Sequence, residues 1–501
     1  MLGRTMPGAP PPTTGPSGDR TPEAPEAPPP PPPSPLELEV AERLRPTEEE
    51  LRSLAHARGA LVSAALAEAA KRSIPLRKAL IAGSAARETY LPPSSGGRLD
   101  LDLFLLFDPS LPREKLSELG LTLAGALLRS PEKRYAEHPY LRGEFEGFDV
   151  DAVPGYEVSR SDRPQTAVDR TPFHHAYLVP RLGPRAKDEV RLLKRFLRTL
   201  GIYGADTRTE GFSGYLVELL IVRYGSLSAL LEEALSWHIP QRLCPPGPEP
   251  ATSAEVALVL PDPVDPHRNV ASALSRENFA LFLMAAQVYH ARPRRAFFFP
   301  PKRPVLSVEE LQATQRSRGT EVVALTFPAP DLVDDILYPQ LRKCERALLG
   351  PLERWGFEVL RTSSAKSGTE AAVVAEIDRA ELGPTLVRAG PPVGSRETAK
   401  FLERWTPGTP GLRNGPYLSS TGHLQVDLER SVRDVVGLLL KELAQMGFGK
   451  NLQEPVTRHG TVRLLAPASA TEALTSSPAL LEALRALYGR GLPWRDWPPE
   501  G

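Results

Sequence analysis

Gly83-Ser84-Ala85-Ala86-Arg87 and, thirteen residues after it, Asp100-Leu101-Asp102 are the parts of a phosphate-transfer site. The run Leu99 to Phe107 alternates as a strand, so Asp100 and Asp102 share a face about 7 Å apart. Two such carboxylates can share divalent ions, as nucleotidyl transfer requires. Asp in an apolar β-run is costly without that counter-charge. Gly83 lets backbone approach phosphate, Ser84 offers a hydrogen bond, and Arg87 offers a neutralising charge. A third carboxylate comes from Phe148-Asp149-Val150-Asp151-Ala152-Val153-Pro154, a second alternating run that Pro154 should end. Asp149 and Asp151 lie on one face, and periodicity does not choose between them. A lone Asp-x-Asp is more often a solvent-facing strand edge; the Gly-Ser turn and the third carboxylate tip the balance toward chemistry.

The elements that position these residues are legible nearby. Thr47-Glu48-Glu49-Glu50 is a capping box opening a helix that continues to Lys71. Leu76 to Ile81 forms the strand feeding the Gly-Ser turn, with Pro75 just before it, where its missing N–H costs little. Residues 1–36 are rich in Pro, Gly, Ala, Ser and Thr, with the run Pro28 to Pro33, and are expected to be a disordered extension.

A chain of 501 residues predicts three or four domains. Equal numbers of basic and acidic residues, 61 of each, argue against a general nucleic-acid coat, so any RNA contact must be local. Cys244 and Cys344 lack metal-ligand spacing, which points to a reducing compartment without structural zinc or a disulfide framework. With no apolar run of membrane length and no signal-peptide core, a cytoplasmic protein with no membrane association is expected.

The middle of the chain sharpens the reading. Asp169-Arg170-Thr171-Pro172-Phe173-His174 precedes a basic amphipathic helix, Asp188 to Arg198, followed by Gly201 to Asp206 and Gly211 to Leu220. From Arg181 to Glu210 there are eight Lys or Arg against four Asp or Glu, a pattern more often a solvated helix face than a phosphate site. At these residues the chain resembles the class I, archaeal-type CCA-adding enzymes, a family of tRNA nucleotidyltransferases. The matching segments include Gly83-Ser84 with Arg87, Asp100-Leu101-Asp102, Tyr135 to Tyr140 and Val150 to Pro154. Further on they include Arg170 to His174, Arg191 to Lys194, Tyr203-Gly204-Ala205, Gly211 to Leu216, Asp262 to Ala271 and Gly415-Pro416-Tyr417.

The resemblance implies an α+β multidomain chain: a polymerase-β-type nucleotidyltransferase head, a helical neck, and an α/β body with an inserted α+β tail. The expected bounds are 37–156 for the head, 157–258 for the neck, 259–332 with 421–501 for the body, and 333–420 for a tRNA-binding tail. The implied activity adds C, C and A to the tRNA 3′ end from CTP and ATP without a template, using two Mg²⁺ ions, or Mn²⁺, and releasing pyrophosphate. Asp100, Asp102 and Asp151 match the metal carboxylates. Gly83, Ser84, Arg87, His174, Lys194 and Tyr203 match the nucleotide site, and Arg268 matches a base-reading arginine. The implied partners are the tRNA acceptor arm, CTP and ATP, with a homodimer left open. Three departures stand out: Asp100 where the family often has Glu, a lengthened turn at Pro92 to Gly97, and the Pro-rich extension. The alternatives are another nucleotidyltransferase making oligonucleotide or cyclic products, and a non-catalytic tRNA-binding factor; the intact Asp100, Asp102 and Asp151 speak against the latter.

In the back half, Arg292 to Arg303 carries five basic residues, no acidic ones and three adjacent phenylalanines, which suit either phosphate contact with rings presented to bases or ordinary core packing. Asp335 to Trp355 and Glu397 to Trp405 read as helices, and Gly356 to Leu360 and Ala371 to Ile377 as strands. Residues 421 to 428 read as a strand and Ser431 to Met446 as an amphipathic helix, both of the body.

Overall fold

The computed structural model describes residues 32–97, 99–135, 139–159, 166–245, 249–465 and 470–498. Nearly all of the expected Pro-rich extension, and Ala136 to His138 of one matching segment, lie outside the described residues. The first described element is a helix absent from the sequence reading, α1 (Pro35–Leu44), opened by a capping box between Ser34 and Glu37. The expected helix follows as α2 (Glu48–Lys71), capped by Thr47 and Glu50.

The head is a five-stranded sheet with helices packed on it. In chain order it holds β1 (Lys78–Ala82), α3 (Gly83–Arg87), β2 (Asp100–Phe107), α4 (Arg113–Leu127), β3 (Arg129–Tyr135), β4 (Pro139–Phe145) and β5 (Phe148–Tyr156). The strand order is β1-β2-β5-β4-β3. β2 is antiparallel to β1 but parallel to β5, and the register sets Asp100 beside Asp149 and Asp102 beside Asp151. Its core is Leu101, Leu103, Leu105 and Phe107 from β2, packed with Leu54, Leu61, Leu116 and Leu123 from the helices. Pro154 does not end β5. Among the described residues the β4 pairing runs no further than Ala152 opposite Leu141, so the N–H that Pro154 lacks is not needed by that ladder.

The next unit is helical. It comprises α5 (Thr171–Leu178), α6 (Pro184–Thr199), α7 (Gly214–Tyr224) and α8 (Leu227–Ala234). Two short strand pairs follow, β6 (Gln241–Arg242) with β7 (Leu258–Val259) and β8 (Pro261–Asp262) with β9 (Asp265–Asn269), then α9 (Arg276–Ala291). A single apolar core joins Val40 and Leu44 of α1 to Phe196, Phe212, Phe279, Phe282, Phe297 and Phe298. The expected neck boundary at 258 therefore falls inside one core. Phe297 and Phe298 are fully buried, so neither ring is presented to a base.

The remaining part begins with α10 (Val308–Arg318), β10 (Glu321–Pro328), α11 (Asp334–Trp355), β11 (Val359–Ser367) and β12 (Glu370–Ile377). Then come β13 (Thr385–Pro392), α12 (Thr398–Arg404), β14 (Leu412–Leu418), β15 (His423–Glu429), α13 (Val435–Glu442), α14 (Gln453–His459), β16 (Thr461–Leu465), α15 (Ala470–Ser476) and α16 (Pro478–Tyr488). One sheet runs β11-β12-β10-β16 and another β13-β15-β14. The expected boundary between 332 and 333 cuts the first sheet's chain between β10 and β11. That between 420 and 421 separates β14 from its central partner β15. The long helix expected over Ser431 to Met446 is the shorter α13 followed by one tight turn at Leu443–Gln445. Among the described residues no single helix is long and apolar enough to cross a membrane; α7 and α8 meet that composition only together, at a 90° bend.

Candidate active site

The acidic face grows directly from the β2–β5 register. Side chains directly opposite on parallel strands point the same way, so Asp100, Asp102, Asp149 and Asp151 gather on one side. Arg142 of β4 enters this cluster, donating to Asp100 at 2.8 Å and Asp149 at 3.3 Å, with Asp151 at 3.5 Å. Sequence reading missed Arg142, although it sits opposite Asp151 in the β4–β5 register. Burial, then the charges of Asp151 and Asp100, push the Asp102 carboxyl up to about 7, against the opposing Arg87 and Arg142. Burial also raises Asp151. Its side chain is 19% exposed against 41% for Asp149, so Asp151 is the inner of the two carboxylates that periodicity left open.

Gly83 faces this cluster at φ +68°, and a Cβ there would lie 1.8 Å from Asp102 Oδ2. The glycine is required twice over, by its left-handed backbone and by the approach of a carboxylate. Hard oxygen donors and mutual repulsion suit a divalent cation, and Asp151 Oδ1 is buried without a hydrogen-bond partner. Among the described residues no group of three or more His, Cys, Asp or Glu side chains is arranged to hold a metal ion, and the counter-charge present is Arg142.

Beside the acidic face opens a cavity of about 320 Å³. Gly83, Ser84, Arg87 and Asp102 line it from the head, and His174, Lys194, Tyr203 and Tyr215 from the helical unit. Seven of the ten residues expected at the site thus meet at one cavity, with Asp100 and Asp151 flanking Asp102 through the sheet. Lys194 is 1% exposed; its ammonium donates to the Thr89 carbonyl at 2.9 Å and lies 6.0 Å from the Tyr203 ring. No ion pair is formed by Lys194 among the described residues, which leaves its charge available to an anion.

Arg87 differs from expectation. Its guanidinium is buried and ion-paired with Glu218 of α7 at 2.8 Å, and Glu218 also accepts from the Thr89 hydroxyl at 2.5 Å. The cation lines the cavity, but its charge is offset. Glu218 stands in Gly-Phe-Ser-Gly-Tyr-Leu-Val-Glu, a segment quoted for the resemblance in which the sequence reading did not single it out, and it is fully buried on α7.

Asp262 is a second hub. Fully buried, it accepts from His174 Nε2 at 2.8 Å, the Tyr215 hydroxyl at 2.9 Å and Arg268 at 2.8 Å. Burial opposes its ionisation, yet these bonds and the Val264 N–H hold its carboxyl below the usual range. Tyr215 stacks on His174 with centroids 4.0 Å apart. Arg268 does not line the cavity and reaches it only through Asp262 and His174. Arg170, from the same matching segment as His174, pairs with Asp265 at 2.8 Å.

The basic helix α6 is not a solvated face. Lys187 pairs with Glu88, Arg191 donates to the Glu88 carbonyl and Lys194 to that of Thr89, so three of its cations hold the head's Glu88–Thr89 corner. The lengthened turn is likewise anchored: Ser94 donates its N–H and hydroxyl to Glu50 of α2.

The comparisons agree with this construction. Residues 188–299 match the tRNA nucleotidyltransferase second-domain family, and residues 318–463 match the C-terminal domain of CCA-adding enzymes. The chain is 37% identical over 431 residues to the CCA-adding enzyme of Haloarcula marismortui, covering 83% of this chain and 90% of that protein. It is 42% identical over 364 residues to that of Halorubrum lacusprofundi, covering 70% and 78%. For Methanosarcina barkeri the identity is 37%, covering 84% and 92%. A polymerase-β-type nucleotidyltransferase head joined to a helical unit is the class that sheet and cavity define. The chain belongs to the CCA-adding enzyme family.

Proposed function

We propose that this protein adds C, C and A to the 3′ end of tRNA, using CTP and ATP without a nucleic-acid template. The observation that carries the reading is one cavity with Asp102 on the head side, flanked through the sheet by Asp100 and Asp151, and on the other side aromatic rings and Lys194, which forms no ion pair among the described residues. In this reading Asp100, Asp102 and Asp151 would hold divalent cations, Mg²⁺ being the expected ion. Bound there, such ions supply activation of a hydroxyl and neutralisation of the departing pyrophosphate.

The protein's own groups do the positioning. Ser84 and the Gly83 backbone flank the phosphates, and Lys194 supplies the net positive charge. Arg87 bounds the phosphate site, its own charge being balanced by Glu218. Tyr203 and His174 form the sugar side, with His174 oriented by Asp262 and Tyr215. Arg268, held outside the cavity wall by the same Asp262, would offer its planar donor fork to a base that extends past His174. The acceptor arm would run over the back half, and 37–156, 157–258, 259–332 with 421–501, and 333–420 would serve as head, neck, body and tail despite the shared core and sheets.

The test uses tRNA transcripts ending before the first C, the second C or the final A, each given Mg²⁺ with CTP, ATP or both. Ordered extension stopping at CCA, abolished by Asp102→Ala, is the expected result. Consumption of nucleotide without tRNA extension would overturn the reading in favour of an oligonucleotide synthase.

A further inference from the structure

A second cavity, of about 340 Å³, lies away from the first and shares no lining residue with it. Its walls are Val288 of α9, Arg292, Arg294 and Phe297 just after that helix, and Trp494, Arg495 and Trp497 from the C-terminal segment. The C-terminal segment is held by its rings: Trp497 meets Phe297 edge-on at 5.0 Å and Trp494 lies 5.8 Å from it. Phe297 stacks in turn on Phe196 of α6. Lys194 and Phe196 are two positions apart on that helix and so look to different sides of it. One helix thus separates the two cavities.

The charge is one-sided. Arg292, Arg294 and Arg495 form no ion pair among the described residues, whereas neighbouring Arg295 pairs with Glu39 and Arg303 approaches Asp496 at 3.9 Å. No carboxylate lines the cavity. Three uncompensated guanidinium groups around indole rings combine planar phosphate donors with stacking surfaces. A lone inorganic anion would use the arginines but not the rings, and an apolar molecule the rings but not the arginines. A nucleotide uses both.

We propose that this cavity is a second nucleotide-binding site, distinct from the catalytic one, in which the arginines hold a phosphate and Trp494 stacks on the base. The occupant is a nucleoside phosphate unit, either free or carried as one residue of a bound RNA. The proposal stands on the cavity itself and does not depend on the reaction performed at the other site.

The experiment titrates the full-length protein with AMP, with ribose 5-phosphate, and with a mature tRNA transcript while following tryptophan fluorescence. Binding at the catalytic cavity is separated by repeating each titration in Lys194→Ala. Quenching by AMP but not by ribose 5-phosphate, retained in Lys194→Ala, identifies a free-nucleotide site. Quenching by tRNA alone identifies an RNA residue as the occupant. In either case Arg292→Glu/Arg294→Glu/Arg495→Glu should weaken the quenching ligand at least about tenfold and flatten its salt dependence. The Lys triple variant should lose less, because it keeps charge without the fork. Trp494→Leu leaves every charge in place and should abolish the quench, with matching circular dichroism and melting as the check that it folds. Absence of quenching by AMP and tRNA, or equal quenching in Trp494→Leu, overturns the site.

Discussion

Asp102 is the residue where chemistry and stability collide. Its carboxyl, pushed up to about 7 by burial and by Asp151 and Asp100, holds in the folded state a proton that the unfolded chain gives up near 4. The folded state therefore binds more protons between those values, and this group lowers stability as pH rises from about 4 through 7. Asp102→Asn should abolish nucleotide transfer yet stabilise the metal-free protein at pH 8, on the order of 2 kcal/mol. The gain should vanish toward pH 4. Melting curves in EDTA at the two pH values check both parts. Gly83→Ala places a methyl group 1.8 Å from Asp102 Oδ2 on a left-handed backbone, so it should cost about 1–3 kcal/mol and most of the activity. Urea titration beside a CTP-incorporation assay reads the two effects. Residue types and period-2 spacing were enough to name the carboxylates, because those are properties of the local chain. Arg142, Glu218 and the choice of Asp151 over Asp149 depend on strand register and burial, which no local pattern carries.

At the scale of elements, the helices with two-sided signals were readable and those without were not. Thr47 and Glu50 announced α2, whereas the equivalent Ser34 and Glu37 were hidden by the adjoining proline-rich composition. Yet α1 is an integral element: Val40 and Leu44 are fully buried in the core that includes α6. Ser34→Ala removes the hydroxyl that accepts from the Glu37 N–H and should cost about 1 kcal/mol. Hydrogen exchange should show faster opening across 35–44 while the head sheet is unchanged. The alternation ending at Pro154 misled for a related reason. Whether a proline stops a strand depends on whether a neighbour needs its N–H, and β4, joined to β5 by a two-residue turn, pairs with it only as far as Ala152.

Across the whole molecule, head and helical unit are fastened by polar groups as well as by apolar ones. Glu218 of α7 receives Arg87 and Thr89, and α6 returns Lys187, Arg191 and Lys194 to the Glu88–Thr89 corner. Removing one partner of a buried ion pair strands the other, so Glu218→Ala should destabilise by about 3–5 kcal/mol. Equilibrium urea unfolding followed by far-UV circular dichroism measures it, and a loss under 1 kcal/mol would show that Arg87 finds another partner. The domain bounds came from the resemblance and not from the chain's own pattern, since cores and sheets are closed by pairings such as β10 with β16 that reach far along the chain.

The mixed pairing of β2 also dictates an order of events during synthesis. Its antiparallel partner β1 precedes it closely, but its parallel partner β5 follows only after α4, β3 and β4. Asp100 and Asp102 therefore leave the ribosome well before Asp151, and the lysine and glutamate of the helical unit come later still. A nascent chain that has just completed the sheet carries its full acidic cluster with Arg142 as the local counter-charge, and keeps Arg87 without Glu218 until α7 emerges. The acidic face is thus assembled in the head first, and the cavity beside it gains its lysine-bearing wall only afterwards.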